Sequence, residues 1–140
     1  MSSLPSEDAK QPENSYVLDA SALLAVVLQE PGGDVVEDFL RAGACVSAVN
    51  VSESLARLHD MGFSIQRAED AIGEVECAII DFNEATAVLA GRLRPATRRH
   101  GLGLGDRACL ALAAYLTLPA VTADRIWASL DVGVEIVLCR

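Results

Sequence analysis

Four carboxylates stand out in this sequence because each sits where a strand ends or a helix begins: Asp19, Glu53, Asp106 and Asp124. Asp19 closes the run Tyr16-Val17-Leu18 and leads straight into Ala20-Ser21-Ala22-Leu23, so its charge falls close to the core, where a lone ion is out of place. Asp124 follows Ala120-Val121-Thr122, and Asp106 opens a helix after the turn Gly101-Leu102-Gly103-Leu104-Gly105. Glu53 lies near the start of a third helix, beside Asn50 and Ser52, both of helix-capping type. Taken singly, each acid after Asp19 has an ordinary reading: Asp106 complements a helix dipole, Asp124 is an N-cap and Glu53 is a solvated helix charge. In open α/β sheets, however, sites form beyond the carboxyl ends of the strands, and all four acids can share that rim.

Carboxylates gathered on one rim repel one another, and some are driven to protonate unless a cation joins them. Hard divalent ions such as magnesium and manganese match an all-oxygen donor set and keep several waters. The chemistry that suits such a pocket is phosphodiester hydrolysis, with a metal-activated water and a stabilised leaving oxygen. His59 and His100 are isolated and form no Cys/His set for a softer metal.

The elements that must position these acids alternate along the chain. Residues 16–19 read as a strand, 20–29 as an apolar helix stopped by Pro31-Gly32-Gly33, and 34–42 as a second helix with Val35, Val36, Phe39 and Leu40 on one face. A strand at 44–47 follows, then a helix at 49–61 with Val51, Leu55 and Leu58 inward and Gly62 as its stop. Ser64 caps a helix carrying Ile65, Ala68, Ile72 and Val75, residues 77–82 form a strand, and Asn83 caps a helix ending before Pro95. The last elements are a helix at 106–116, a strand at 119–122, a short helix at 124–129 and a strand at 134–138. This alternation predicts a three-layer α/β/α fold around a mostly parallel sheet with right-handed crossovers.

With 140 residues, 51% hydrophobic and 22% charged, the chain is expected to form one domain with its own core. Cys45, Cys77, Cys109 and Cys139 stand alone among apolar neighbours, which reads as buried free thiols in a reducing cytosol. Residues 1–15 are polar, with Pro5 and Pro12 and no apolar core, and are expected to be a flexible tail rather than a secretory signal, leaving 16–140 as the domain. The uncharged run 108–123 falls short of the roughly 18 residues of a membrane span and contains Pro119. A cytoplasmic protein without membrane association is therefore expected.

Several stretches, taken in order, resemble a known family: Val17-Leu18-Asp19-Ala20-Ser21-Ala22, Asn50-Val51-Ser52-Glu53, Leu104-Gly105-Asp106-Arg107-Ala108-Cys109 and Thr122-Ala123-Asp124-Arg125-Ile126-Trp127. They look like the motifs of PIN domains, specifically VapC-type toxins of bacterial type II toxin–antitoxin systems. The resemblance runs from Tyr16 to the C-terminus and implies an endoribonuclease dependent on magnesium or manganese, usually a homodimer, restrained by a cognate antitoxin. Carried across by motif, Asp19, Glu53, Asp106 and Asp124 would be the acidic quartet, with Asp19 and Asp106 as direct metal ligands and Ser21 and Thr122 as polar supports. Gly103 departs from the pattern, standing where many relatives carry Ser.

The net charge of −9, from 11 basic and 20 acidic residues, argues by itself against non-specific nucleic-acid binding. The charge is unevenly spread, however. No acid occurs between Ala85 and Gly105, where Arg92, Arg94, Arg98, Arg99 and His100 cluster, and Arg107 lies just beyond. These arginines can hold RNA phosphates beside the acidic rim, leaving sequence choice to loop contacts. The ordinary alternative is a solvated helix face paired with surface acids. At 4% aromatic residues, extensive base stacking is not expected, and Trp127 is read as packing beneath the site. A phospho-receiver domain fails because Ala20 follows Asp19 and the sole lysine is Lys10; an Asp-x-Asp phosphatase fails at Ser21, and no Gly-Lys-Ser/Thr forms a P-loop. The remaining rival is a catalytically silent PIN-like module that binds RNA or protein.

Overall fold

The computed structural model describes residues 14–140. The expected tail therefore lies outside the described residues except at its end, where the Ser15 N–H donates to the Gly43 carbonyl at 2.8 Å and ties that residue to the domain. The order of elements is β1 (Tyr16–Leu18), α1 (Ala20–Val27), α2 (Gly33–Ala42), β2 (Ala44–Ser47), α3 (Ala48–Asp60), α4 (Ile65–Gly73), β3 (Ala78–Ile80), α5 (Glu84–Arg92) and α6 (Arg94–Thr97). A 3₁₀ turn (Arg98–His100), α7 (Leu104–Leu116), β4 (Ala120–Thr122), a second 3₁₀ turn (Arg125–Ser129) and β5 (Ile136–Leu138) complete it.

The strands pair in parallel in the order β3-β2-β1-β4-β5. From the central β1 the chain builds one side of the sheet, then returns to build the other beyond β1. The carboxyl ends of β1 and β4 are thus the point where strand order reverses, the place such sheets reserve for a site. Asp19 directly follows β1 and Asp124 lies two residues beyond β4.

Period-two alternation sends neighbouring strand residues to opposite faces. Val17, Cys45 and Ala120 join a core with Leu110, Ala113 and Trp127, under α7. Leu18, Ala44 and Val121 face the other way, against Ala22 and Val36 of α1 and α2, while Val46 meets Leu58, Ala68 and Ile72 of α3 and α4. The three-layer α/β/α architecture follows, and the sheet is wholly parallel among the described residues. Gly32 is conformationally required: its φ is +93°, and a Cβ there would lie 2.6 Å from the Cys139 carbonyl oxygen.

Several boundaries differ from expectation for local reasons. Helix α3 starts at Ala48 because Ser47 is its cap, its hydroxyl accepting from the Val49 N–H, so Asn50 and Ser52 lie inside the helix and cap nothing. Helix α5 stops at Arg92, and Pro95 sits in the first turn of a further helix, α6, where its missing N–H costs nothing. The edge strand β3 keeps only three residues, two of them exposed. The segment after Asp124 is 3₁₀ rather than α.

The four cysteines are free; three are buried and Cys77 is half-buried. Burial pushes the thiols of Cys45 and Cys77 up to about 11 and about 12, which leaves them unreactive at neutral pH. Among the described residues, no helix is long and apolar enough to cross a membrane.

Candidate active site

Asp19 is 4% exposed and nonetheless carries a full set of donors. Its Oδ1 accepts from the Ser21 hydroxyl at 2.7 Å and from the Ala22 N–H at 2.8 Å, which makes it the N-cap of α1. Its Oδ2 accepts from the Thr122 hydroxyl at 2.6 Å. Thr122 Oγ1 in turn accepts from the Asp124 N–H at 3.0 Å, and Ser21 Oγ from the Ala123 N–H at 2.8 Å. The two hydroxyls therefore stitch the end of β1 to the end of β4 through one carboxylate. Burial is the largest influence on this group and lifts it from 3.8 to about 6, against the pull of those three hydrogen bonds; the charge of Asp106 raises it further.

Asp106 enters the same rim from α7. The helix starts two residues earlier than expected, at Leu104, with Gly103 as N-cap. This puts Asp106 at the third helical position, where Oδ2 accepts from the Gly103 N–H at 3.2 Å. Gly103 contributes no capping side chain of its own, which is what the missing serine amounts to physically. The Asp106 carboxyl is raised by burial first, opposed by the Gly103 N–H, and raised again by Glu53 and Asp124; Arg107 lowers it.

Glu53 reaches the rim from α3 and packs on the backbone of α7. A Cβ at Gly105 would stand 2.5 Å from Glu53 Oε1, so glycine is the residue that lets the carboxylate lie there. Asn50 holds it in place: Nδ2 donates to Glu53 Oε1 at 3.1 Å and to the Gly105 carbonyl at 3.0 Å. Asp124 is exposed and caps the second 3₁₀ turn through the Ile126 N–H at 3.0 Å. Asp124 is thus a cap, and its charge also acts on Asp106. Asn50 and Gly105 carry no charge that would mark them in the sequence; a glycine inside the first turn of a helix, where alanine is favoured, is the signal that points to Gly105.

The charge of Asp106 raises Asp19, and those of Glu53 and Asp124 raise Asp106, yet among the described residues no three Asp, Glu, His or Cys side chains gather at metal-holding spacing. Asp106, Glu53 and Asp124 each turn one oxygen onto a nearby N–H donor. Each keeps a second oxygen.

Of the basic cluster, Arg92, Arg94, Arg98 and Arg99 are exposed, and none forms an ion pair among the described residues. The paired-surface alternative therefore finds no partner acids here. Arg94 spends one donor on the Leu102 carbonyl at 3.2 Å, bracing the turn before α7. Arg107 turns inward to the Ala90 carbonyl at 3.1 Å, linking α7 to α5. Trp127 is fully buried beneath the site, as expected.

The family model described as the PIN domain matches residues 16–133. Among solved structures, a chain of the DNA-bound VapBC from Salmonella typhimurium superposes with a TM-score of 0.73 at 18% identity, over 91% of this chain and 100% of that one. VapBC2 from Rickettsia felis, bound to a promoter DNA fragment, gives 0.70 at 16% identity, over 88% and 97%. VapC20 of Mycobacterium tuberculosis, a toxin that cleaves the sarcin–ricin loop, gives 0.68 at 13% identity, over 86% and 99%. At these identities the likeness is one of fold. No curated relative matches the sequence.

Proposed function

The chain belongs to the PIN domain family, and from that premise we propose that it is a metal-dependent endoribonuclease acting as the toxin of a type II toxin–antitoxin pair. The observation that carries this reading is Asp19: a buried carboxyl at the strand-order reversal, held by three donors and coupled to Asp106. A group so placed is costly to the fold and gains a purpose when a cation sits beside it.

The residues fit a hard divalent cation. The donors on the rim are all oxygens; Asp19 has about one of its four acceptor positions left, on Oδ2, and Asp106, Glu53 and Asp124 each have a free oxygen. Asp19 and Asp106 would hold the ion directly, with Glu53 and Asp124 completing the acidic set. Magnesium or manganese bound there supplies an activated water and charge stabilisation for the leaving oxygen of a phosphodiester. The chain's own residues do the rest: Thr122 and Ser21 fix the Asp19 carboxylate, Gly103 and Asn50 orient Asp106 and Glu53, and the exposed arginines hold RNA phosphates next to the rim.

Induction in a host lacking an antitoxin should arrest growth, and Asp106→Asn should abolish the arrest. The purified protein should cleave RNA with Mg2+ or Mn2+ and stop when the metal is chelated. Equal toxicity of wild type and Asp106→Asn would favour the silent binding module. Arg98→Ala combined with Arg99→Ala removes two phosphate contacts; RNA affinity should fall, and the log–log salt slope should flatten by about 1.4 for single strands. Affinity unchanged at every salt concentration would return these arginines to a solvated surface. Gly105→Ala should cut cleavage at least about tenfold by displacing Glu53. Its stability should stay within about 1 kcal/mol, because alanine's helix preference offsets the clash; full activity would detach Glu53 from the reaction.

The antitoxin partner has a second support. A groove of about 520 Å³ between α1, α2 and α4 is floored by Val26, Val27, Leu40 and Val75 and rimmed by Glu37, Glu74 and Glu76. It contains none of the four rim acids; Arg41 also lines it and is already paired with Asp38. An amphipathic segment with basic residues matches it. The homodimer belongs to the same reading and is tested by light scattering.

A further inference from the structure

Asn50 is 1% exposed, lies in the first turn of α3, and hydrogen-bonds both Glu53 and the backbone of α7. Both its neighbours, Glu53 Oε1 and the Gly105 carbonyl, are acceptors, so the orientation of the amide is fixed: Nδ2 must face them. Its Oδ1 is buried and has no donor among the described residues. Buried acceptors of this kind take a water or a cation's hydration shell, and this one belongs to a side chain already committed to the acidic rim.

The geometry points to Asn50 as a positioning residue: by bridging Glu53 to the Gly105 carbonyl it fixes one carboxylate and the first turn of the helix carrying another, so that Glu53 and Asp106 meet a divalent cation as one preformed unit. This rests on the metal-site reading above and deepens it. Glu53 has no other hydrogen-bond donor among the described contacts, and without Asn50 it is free to leave Gly105 under repulsion from Asp106. Partners of this kind behind a metal ligand typically govern affinity by 10–100-fold.

The test is Mn2+ titration by calorimetry on full-length wild type, Asn50→Ala, Asn50→Ser and Ser54→Ala. Ser54 is a fully buried control on the same helix; its hydroxyl donates to the Asn50 main-chain carbonyl at 2.8 Å and does not touch Glu53. The expected result is a Kd for Mn2+ raised by about 10–100-fold in both Asn50 variants. Cleavage should lose kcat while KM for RNA stays near wild type. Ser54→Ala should lower Tm and leave the Mn2+ Kd unchanged. If Asn50→Ala does not fold, Asn50→Ser carries the test, since serine keeps a small polar group but cannot span both oxygens. A folded Asn50 variant with wild-type Mn2+ affinity would reduce Asn50 to a structural tie and overturn the proposal. Failure of the wild type itself to bind Mn2+ would instead overturn the metal reading, and the proposal with it.

Discussion

Asp19→Asn should abolish RNA cleavage and at the same time make the metal-free protein more stable at neutral pH. The loss of activity follows from removing a negative oxygen at the strand-order reversal; several kcal/mol of charge stabilisation correspond to a loss of at least about a hundredfold. The gain in stability follows from burial. Unfolded, this carboxyl titrates near 3.8, and folded at about 6. Between those values the folded protein holds a proton that the unfolded chain has released, so the stability of metal-free wild type falls as pH rises through that window and levels off above it. The gap amounts to roughly 3 kcal/mol at pH 7. Asparagine removes that penalty, keeps an acceptor for Ser21 and Ala22, and forfeits about 1 kcal/mol at the Thr122 hydroxyl. A net gain of about 2 kcal/mol should raise Tm by roughly 6 °C. Thermal melts of both proteins from pH 4 to 8 check this: the curves should diverge as pH rises. Mg2+ should then stabilise the wild type and not the variant. A variant less stable than wild type at pH 7 would mean that the buried carboxylate is already compensated without metal.

Trp127→Ala carries the largest expected loss of stability, about 3–5 kcal/mol. The indole is fully buried in the core shared by β1, β4 and α7, within the turn that Asp124 caps. Its removal leaves a cavity under the second 3₁₀ turn and loosens the backbone that presents Asp124. Trp127→Phe should cost far less, because the indole Nε1–H is buried without an acceptor among the described residues and phenylalanine discards that orphan while keeping a ring. Urea denaturation followed by circular dichroism measures both; fluorescence is unsuitable because the protein's single tryptophan is the residue replaced. Similar losses for the two variants would show that the indole's second ring, rather than aromatic filling in general, supports the turn.

The helices and strands were readable because their physics is local. Val17 and Leu18 had to face opposite layers once they lay in a strand, and Ser64 and Asn83 cap their helices through their own side chains. The acids were readable because each follows an element end. What was not readable depended on partners distant along the chain. The pattern puts Asp106 at the start of its helix, but it lies at the third position, where its side chain captures the Gly103 N–H. Arg107, grouped by proximity with the arginines expected to hold RNA, donates to the Ala90 carbonyl seventeen residues back.

The sequence by itself determined the alternating α/β fold, the four acids and the basic stretch beside them, since periodicity, capping and composition act over a few residues. Only the tertiary structure decided how those acids stand toward one another: Thr122 bonded to Asp19 across 103 positions, Asn50 clasping Gly105 across 55, and three further carboxylates each held by a nearby N–H donor. Charge and hydrogen bonding act through space, so their balance is set when the sheet brings the strand ends together.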